Sequence, residues 1–392
     1  IALRWILEQG VSSVVKSFNK VRMKENLQIF DWKLSESDLV KIKQIPQFRA
    51  FLAREFVSED GPYKSLDDFW DGAMDPKAIP EVVLNSGHKM PILGFGTGTV
   101  PLPPAHELIP AFIEAIKSGY RHFDTAAYYG SEEPLGQAIA HALEQGLIKS
   151  RSEIFVTTKL WCTDAHPGLV LPAIKSSLER LGLEYVDLYL IHFPVRLRQG
   201  VPKGTKYGKD DILPLDIKGT WEEMEQCSKL GLAKSIGLSN FGLKKISELL
   251  QNATIPPALV QVEMNAAWQQ ENLREFCKEK GIKVSAWSPL GANGAVWGSL
   301  AVMDSPILKD IASSNGKSVA QVALRWIIEQ GATPIVKSFN SVRMKENLKL
   351  FDWELSEGDL DKAKEIPQYR GFKGERFVSE FGPYKTLEDL WE

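Results

Sequence analysis

Apolar runs of six to eight residues alternate with helical patterns from residue 81 to residue 392. A short hairpin pattern comes first (EVVLNSGHKMPI, with its turn at Ser86-Gly87). Strand-like runs then fall at 92–97, 121–126, 154–160, 186–193, 233–238, 258–264, 282–288 and 333–338. These runs stay apolar instead of alternating, as in a parallel sheet buried on both faces. Between them lie amphipathic stretches. AFIEAIKSG puts Phe112, Ile113, Ala115 and Ile116 on one side, and AIKSSLERLG is closed by Gly182. Eight strand–helix units predict an α/β fold, a (β/α)8 TIM barrel. An open doubly wound sheet is the rival. It is disfavoured because no G-x-G-x-x-G follows the first strand: GFGTGT at 94–99 is too short and runs into PLPP.

The barrel is preceded by a partial copy of its own end. Residues 1–71 align without gaps onto 322–392, and 46 of the 71 positions are identical. IALRWILEQG matches VALRWIIEQG, and GPYKSLDDFW matches GPYKTLEDLW. A solenoid needs adjacent repeats at short period, whereas these two are a barrel apart. Residues 1–71 therefore read as the C-terminal segment of a related unit, 72–80 (GAMDPKAIP) as a linker and 81–392 as the barrel. The first copy carries Lys16, Ser17, Arg22 and Asn26 but lacks seven strands. Its apolar residues (Leu3, Ile6, Phe30, Trp32, Leu34) are expected to need a partner. The chain opens on Ile1 in helix-like sequence, so its natural start is expected upstream.

Candidate chemistry sits at the carboxyl ends of three successive predicted strands. Asp124 ends HFD, Lys159 ends FVTTK and His192 ends LYLIH, with Tyr129 in the loop five residues after Asp124. Neighbouring strand ends converge on one face of such a barrel. Each residue alone has an ordinary reading, as an ion pair or a structural histidine. Together they make a carbonyl-protonating set. A phenol has a pKa of about 10. Lys159 beside Tyr129 is expected to lower it, with Asp124 holding the lysine charged and His192 orienting the substrate oxygen. At the other edge, Lys337, Ser338 and Asn340 follow the last strand, and Arg343 and Asn347 stand one turn apart on the next helix. Cations at a helix N-terminus form an anion site. A solvated helix start is the plain alternative.

GYRHFDTAAYYGSEEPLG, TTKLW, DLYLIHFP, IGLSNF and VKSFNSVRMKEN resemble the aldo-keto reductases across residues 81–392. KLWCTDAHPG, GKSVAQVALRW and VSEFGPYKTLEDLW look most like the plant group of that family. The resemblance implies NADPH-dependent reduction of a ketone or aldehyde, with Asp124, Tyr129, Lys159 and His192 as the catalytic four. It implies that Ser239, Asn240 and Gln261 hold the nicotinamide carboxamide. Lys337, Ser338, Phe339, Asn340, Arg343, Glu346 and Asn347 would surround the adenine end and the 2′-phosphate. Thr97, Gly98, Asp124, Ser288, Pro289 and Leu290 complete the implied NADPH/NADP+ site. Trp287 stands where many relatives place a stacking tyrosine, and an indole can stack as well. Gly98 stands where some relatives carry a large tryptophan, which implies a wider pocket for bulky ketones. Tyr128, Trp161, His192 and Phe193 are the implied substrate walls. The stretches 194–216, 291–306 and 370–392, with Trp297, are expected at the rim.

Composition narrows the partners. Of 392 residues 44% are apolar and the formal charge is −3, without a long basic run, so neither nucleic acid nor an anionic membrane is an expected partner. No apolar run reaches the length of a membrane span. Cys162, Cys227 and Cys277 fit neither a disulfide framework nor a zinc site, and no His or Cys spacing predicts a metal. The expected compartment is the cytoplasm. The expected partner is a small-molecule carbonyl compound. The expected assembly is a monomer, with exchange of the duplicated segment between copies as a variant. A cofactor-binding regulatory or redox-sensing protein on the same barrel is the competing function.

Overall fold

The computed structural model describes residues 1–8, 15–16, 19–43, 79–203, 205–208 and 210–392. Ser17 and most of the predicted linker lie outside the described residues. The chain divides into two compact units, Ile1–Met74 and Asp75–Glu392.

The second unit begins with a hairpin, β1 (Glu81–Val83) antiparallel to β2 (Lys89–Pro91). Then come β3 (Gly94–Gly96), β4 (His122–Asp124), β5 (Phe155–Leu160), β6 (Val186–Ile191), β9 (Ala233–Ser239), β10 (Leu259–Glu263), β11 (Lys283–Trp287) and β12 (Ala332–Val336). These eight are parallel and close in chain order, with β12 returning to β3 through the pairs Ile335↔Gly94 and Val336↔Phe95. A two-residue ribbon, β7 (Arg196–Leu197) with β8 (Ile212–Leu213), folds the long segment after β6.

The helices cover the outer sheet face as their periodicity predicts. Helix Ala105–Ser118 buries Leu108, Phe112, Ala115 and Ile116. It stops at Gly119, whose φ of 111° is open chiefly to glycine. Phe95 meets Tyr120 edge-on at 5.2 Å beneath it. His122 is an interior strand residue. Its ring nitrogens lie 3.2 Å from Pro91 O and 3.1 Å from Thr157 Oγ1, and burial pushes its pKa down to about 4.

A second apolar cluster lies under the C-terminal segment and includes Trp161, Phe193, Tyr207, Phe377, Tyr384 and Trp391. Glu263, at the end of β10, fastens that segment by accepting from the backbone N–H groups of Gly371 (3.1 Å) and Phe372 (2.9 Å).

In the first unit, helix Lys20–Leu27 is capped by Asn19, which accepts from the Val21 and Arg22 amides. Arg4 donates to Glu8 at 2.7 Å and to Ile29 O at 2.8 Å, and Glu8 accepts from the Leu34 amide at 3.0 Å. The barrel repeats this clamp 321 residues on. Arg325 donates to Glu329 (2.5 Å) and Leu350 O (2.9 Å), and Glu329 accepts from the Leu355 amide (2.8 Å). The apolar environment is not repeated, since Met23 is 50% exposed and its counterpart Met344 is 1% exposed.

Helix packing around the barrel gives a direct test. Gly136 sits where a β-carbon would lie 2.2 Å from Leu181 O, a backbone atom that cannot turn away. Gly136→Ala is expected to lower unfolding free energy by about 1–3 kcal/mol, read from urea denaturation.

Candidate active site

The barrel brings the four ionisable groups together. Register pairs Asp124 with Thr157 and Lys159 with Leu190, so β4, β5 and β6 end side by side. His192 follows β6, and its amide donates to Leu160 O at 3.1 Å. A turn closed by the Tyr129 amide and Ala126 O (3.0 Å) folds the phenol back over the strand ends.

Lys159 has no exposed surface. Its Nζ donates to Asp124 Oδ1 at 2.5 Å and to Thr125 O at 3.0 Å, and lies 3.5 Å from the Tyr129 hydroxyl. The other Asp124 oxygen accepts from Gln261 Nε2 at 2.8 Å. The same phenol is 3.4 Å from His192 Nε2. The phenol thus stands between an ammonium and an imidazole, within reach of both.

The protonation of these groups follows from burial and charge. Burial alone would lower the Lys159 pKa, but the Asp124 carboxylate and Tyr129 together overcome it and the net shift is upward. His192 is pushed well below the ordinary imidazole value by burial, reinforced by the charges of Lys159 and Arg376. The expectation for Tyr129 is overturned. Its pKa is raised, because removing a phenolate from water outweighs the attraction of Lys159. At neutral pH the site therefore holds a neutral phenol, a neutral imidazole and a charged lysine.

Aromatic rings wall the cleft. Tyr128 stacks on Trp161 at 3.9 Å, and Phe193 stacks on His192 at 5.0 Å. Phe372 and Phe377 close on Phe193 at 5.8 and 5.4 Å, and the Arg376 guanidinium lies 4.8 Å above the Phe377 ring. Phe372, Arg376 and Phe377 were named only within the predicted rim; no periodicity distinguishes them, because their segment is coil interrupted by the single 3-10 turn Glu375–Phe377. Gly98 borders the phenol directly. A β-carbon there would stand 3.1 Å from the Tyr129 ring.

The other implied residues divide by what their side chains already do. Asn240, directly after β9, and Gln261, in the middle of β10, are buried. Asn240 Nδ2 donates to His192 O (2.9 Å) and Ser239 Oγ (3.1 Å), and Asn240 Oδ1 accepts from Trp287 Nε1 at 2.9 Å. Thr97 is fully buried, and its hydroxyl is taken up by Asp124 O (3.0 Å) and Ser131 Oγ (2.7 Å). Asn340 caps helix Ser341–Leu348 by accepting from the Arg343 amide at 3.0 Å. Asn347 is buried on that helix, facing the Tyr120 hydroxyl. Ser288 takes a left-handed conformation (φ 52°) leading into Pro289 and Leu290. Phe339 and Glu346 are exposed.

Lys337 donates to Gly98 O at 3.2 Å. Neither Lys337 nor Arg343 has an acidic partner among the described residues. Two unneutralised cations beside a helix start fit a phosphate group.

A cavity of about 500 Å³ opens beside Trp287 and Asn240, lined also by Phe241, Trp268, Phe372 and Trp391. Its lining does not include Asp124, Tyr129, Lys159 or His192. Among the described residues, no group of three or more His, Cys, Asp or Glu side chains could hold a metal ion. No described helix is long and apolar enough to cross a membrane. The three cysteines are buried and unpaired.

Comparison with known proteins bears on the fold and the family. A model of the Aldo/keto reductase family matches residues 92–367. Protein REDOX 2 of Catharanthus roseus is 58% identical over 315 residues, covering 80% of this chain and 97% of that protein. NADPH-dependent codeinone reductase 1-4 of Papaver somniferum is 54% identical over 319 residues, covering 81% and 99%. The crystal structure of a Bombyx mori aldo-keto reductase in complex with NADP has a TM-score of 0.68 and 39% identity, over 75% of this chain and 94% of that one. With its closed eight-stranded barrel and a family match over most of its length, the chain belongs to the aldo/keto reductase family.

Proposed function

We propose that this chain reduces a ketone or aldehyde carbonyl of a plant specialised metabolite to an alcohol, with Tyr129 as the general acid. As an aldo/keto reductase it is an NADP-dependent oxidoreductase. The observation that carries the reading is the placement of one phenol 3.5 Å from Lys159 Nζ and 3.4 Å from His192 Nε2.

The raised pKa of Tyr129 helps an acid, because the proton is present when substrate arrives. Donation leaves a phenolate in a dry site, and Lys159 is there to offset that charge. Asp124 keeps Lys159 protonated, and Gln261 holds Asp124 in place. His192, uncharged, directs an N–H at the substrate oxygen without competing as an acid. NADPH, when bound, supplies the hydride. Lys337 and Arg343 would hold its 2′-phosphate, Ser239, Asn240 and Gln261 its carboxamide, and Trp287 the ring face. Trp161, Tyr128 and Phe193 favour a large apolar substrate. The relatives match this chain with almost their whole length and the family model matches residues 92–367, which supports assigning the activity to residues 81–392.

Tyr129→Phe is expected to lower turnover about 10²–10⁴-fold while NADP+ affinity, measured by fluorescence quenching, stays within about threefold of wild type, as for loss of a group that acts mainly in the transition state. Retained turnover on a broad carbonyl panel would remove Tyr129 from its role. An ultraviolet difference titration, wild type minus Tyr129→Phe, should show no tyrosinate step below pH 10, since burial moves this phenol upward. A step near neutrality would reverse the assignment of the dominant force. Removing residues 1–75 should leave soluble protein with unchanged turnover; loss of both would assign the first unit a part in the active fold.

A further inference from the structure

Asn240 is held from every side. Its backbone is left-handed (φ 65°), and its amide donates to Gln261 O at 2.8 Å. A side-chain amide has two N–H donors and one oxygen with two lone pairs. Both donors are committed, to His192 O and Ser239 Oγ, and one lone pair is committed to the indole N–H of Trp287. One acceptor position remains.

Trp287 is fixed in turn. It ends β11 in register with Glu263, and its ring meets Phe372 edge-on at 6.0 Å. Phe372 is itself tied to Glu263 through its backbone amide. The indole therefore sits between the C-terminal segment and the Asn240 side chain. A phenylalanine at this position would keep an aromatic face but has no N–H to offer.

We propose that Trp287 is a positioning residue acting through Asn240: its indole N–H fixes the Asn240 oxygen so that the remaining lone pair receives the carboxamide N–H of the nicotinamide. The hydrogen bond works in both directions, because the same contact sets the tilt of the indole plane. It links the stacking face to the main-chain oxygen of His192, the residue that orients the substrate. Nicotinamide and carbonyl are thereby aligned by one short chain of contacts: Trp287, Asn240, His192. The inference rests on the placement of the nicotinamide under the proposed function.

The test is a double-mutant cycle on ligand binding by the full chain, with NADP+ and with 2′-phospho-ADP-ribose, which lacks the nicotinamide. Trp287→Phe and Asn240→Ala are each expected to weaken NADP+ about fivefold, as for loss of one hydrogen bond. The double variant should weaken it little beyond Asn240→Ala alone. All three should bind 2′-phospho-ADP-ribose as wild type does, which also verifies that the phosphate site is folded.

Losses that multiply in the double variant would make Trp287 an independent stacking surface and overturn the proposal. So would an NADP+ affinity unchanged in Trp287→Phe, or equal losses for both ligands. If wild type binds NADP+ no more tightly than 2′-phospho-ADP-ribose, the nicotinamide placement itself fails and the inference falls with it.

Discussion

A lysine without exposed surface can stay charged only beside a carboxylate, and the pair Lys159–Asp124 is the constraint around which the site is built. Burying an isolated ion costs several kcal/mol, and removing one partner of such a pair typically costs about 3–5 kcal/mol. The barrel meets that demand with short contacts from several strands. β4 supplies Asp124, the residue after it supplies the Thr125 carbonyl, and β5 supplies Lys159. Gln261 reaches across from β10, which stands opposite β4 in the ring. The polar core thus holds the barrel's two sides in one arrangement. In the proposed role of acid, Tyr129 would depend on that arrangement, because burial disfavours its phenolate.

Much of this was legible in the sequence, for a physical reason. A strand buried on both faces shows an unbroken apolar run, so a charged residue at its end stands out, as Asp124, Lys159 and His192 do. The boundaries were less legible. The run 92–97 shortens to Gly94–Gly96, and the run 333–338 becomes Ala332–Val336 because the chain turns to lay Lys337 over Gly98. The sign of the Tyr129 shift could not be read at all. Adjacency to a cation is visible in a motif, whereas the depth of burial that outweighs it depends on the closed fold. Thr97 shows the same limit: a hydroxyl beside the cleft in sequence is spent on Asp124 and Ser131 in space.

The proposed substrate side was the least legible. Its walls come from irregular segments, and their packing rests on a few specific anchors. Glu263 fixes Gly371 and Phe372. Tyr384 donates to Pro194 O at 2.6 Å, and Trp391 donates to Lys373 O at 2.8 Å. Gly242 has no β-carbon because Trp391 O passes 1.9 Å from where one would be. Apart from Trp391 with Lys373, these contacts join residues more than a hundred positions apart, and no periodicity announces them.

The arginine clamp that occurs twice, Arg4 with Glu8 and Ile29, then Arg325 with Glu329 and Leu350, has a bearing on kinetics. Its bonds span 4 to 26 positions, whereas barrel closure pairs Gly94 with Ile335. Short loops close at lower entropic cost than long ones. A clamp of this kind therefore demands less loop-closure entropy than the ring, and the chain carries that low-cost set of contacts twice.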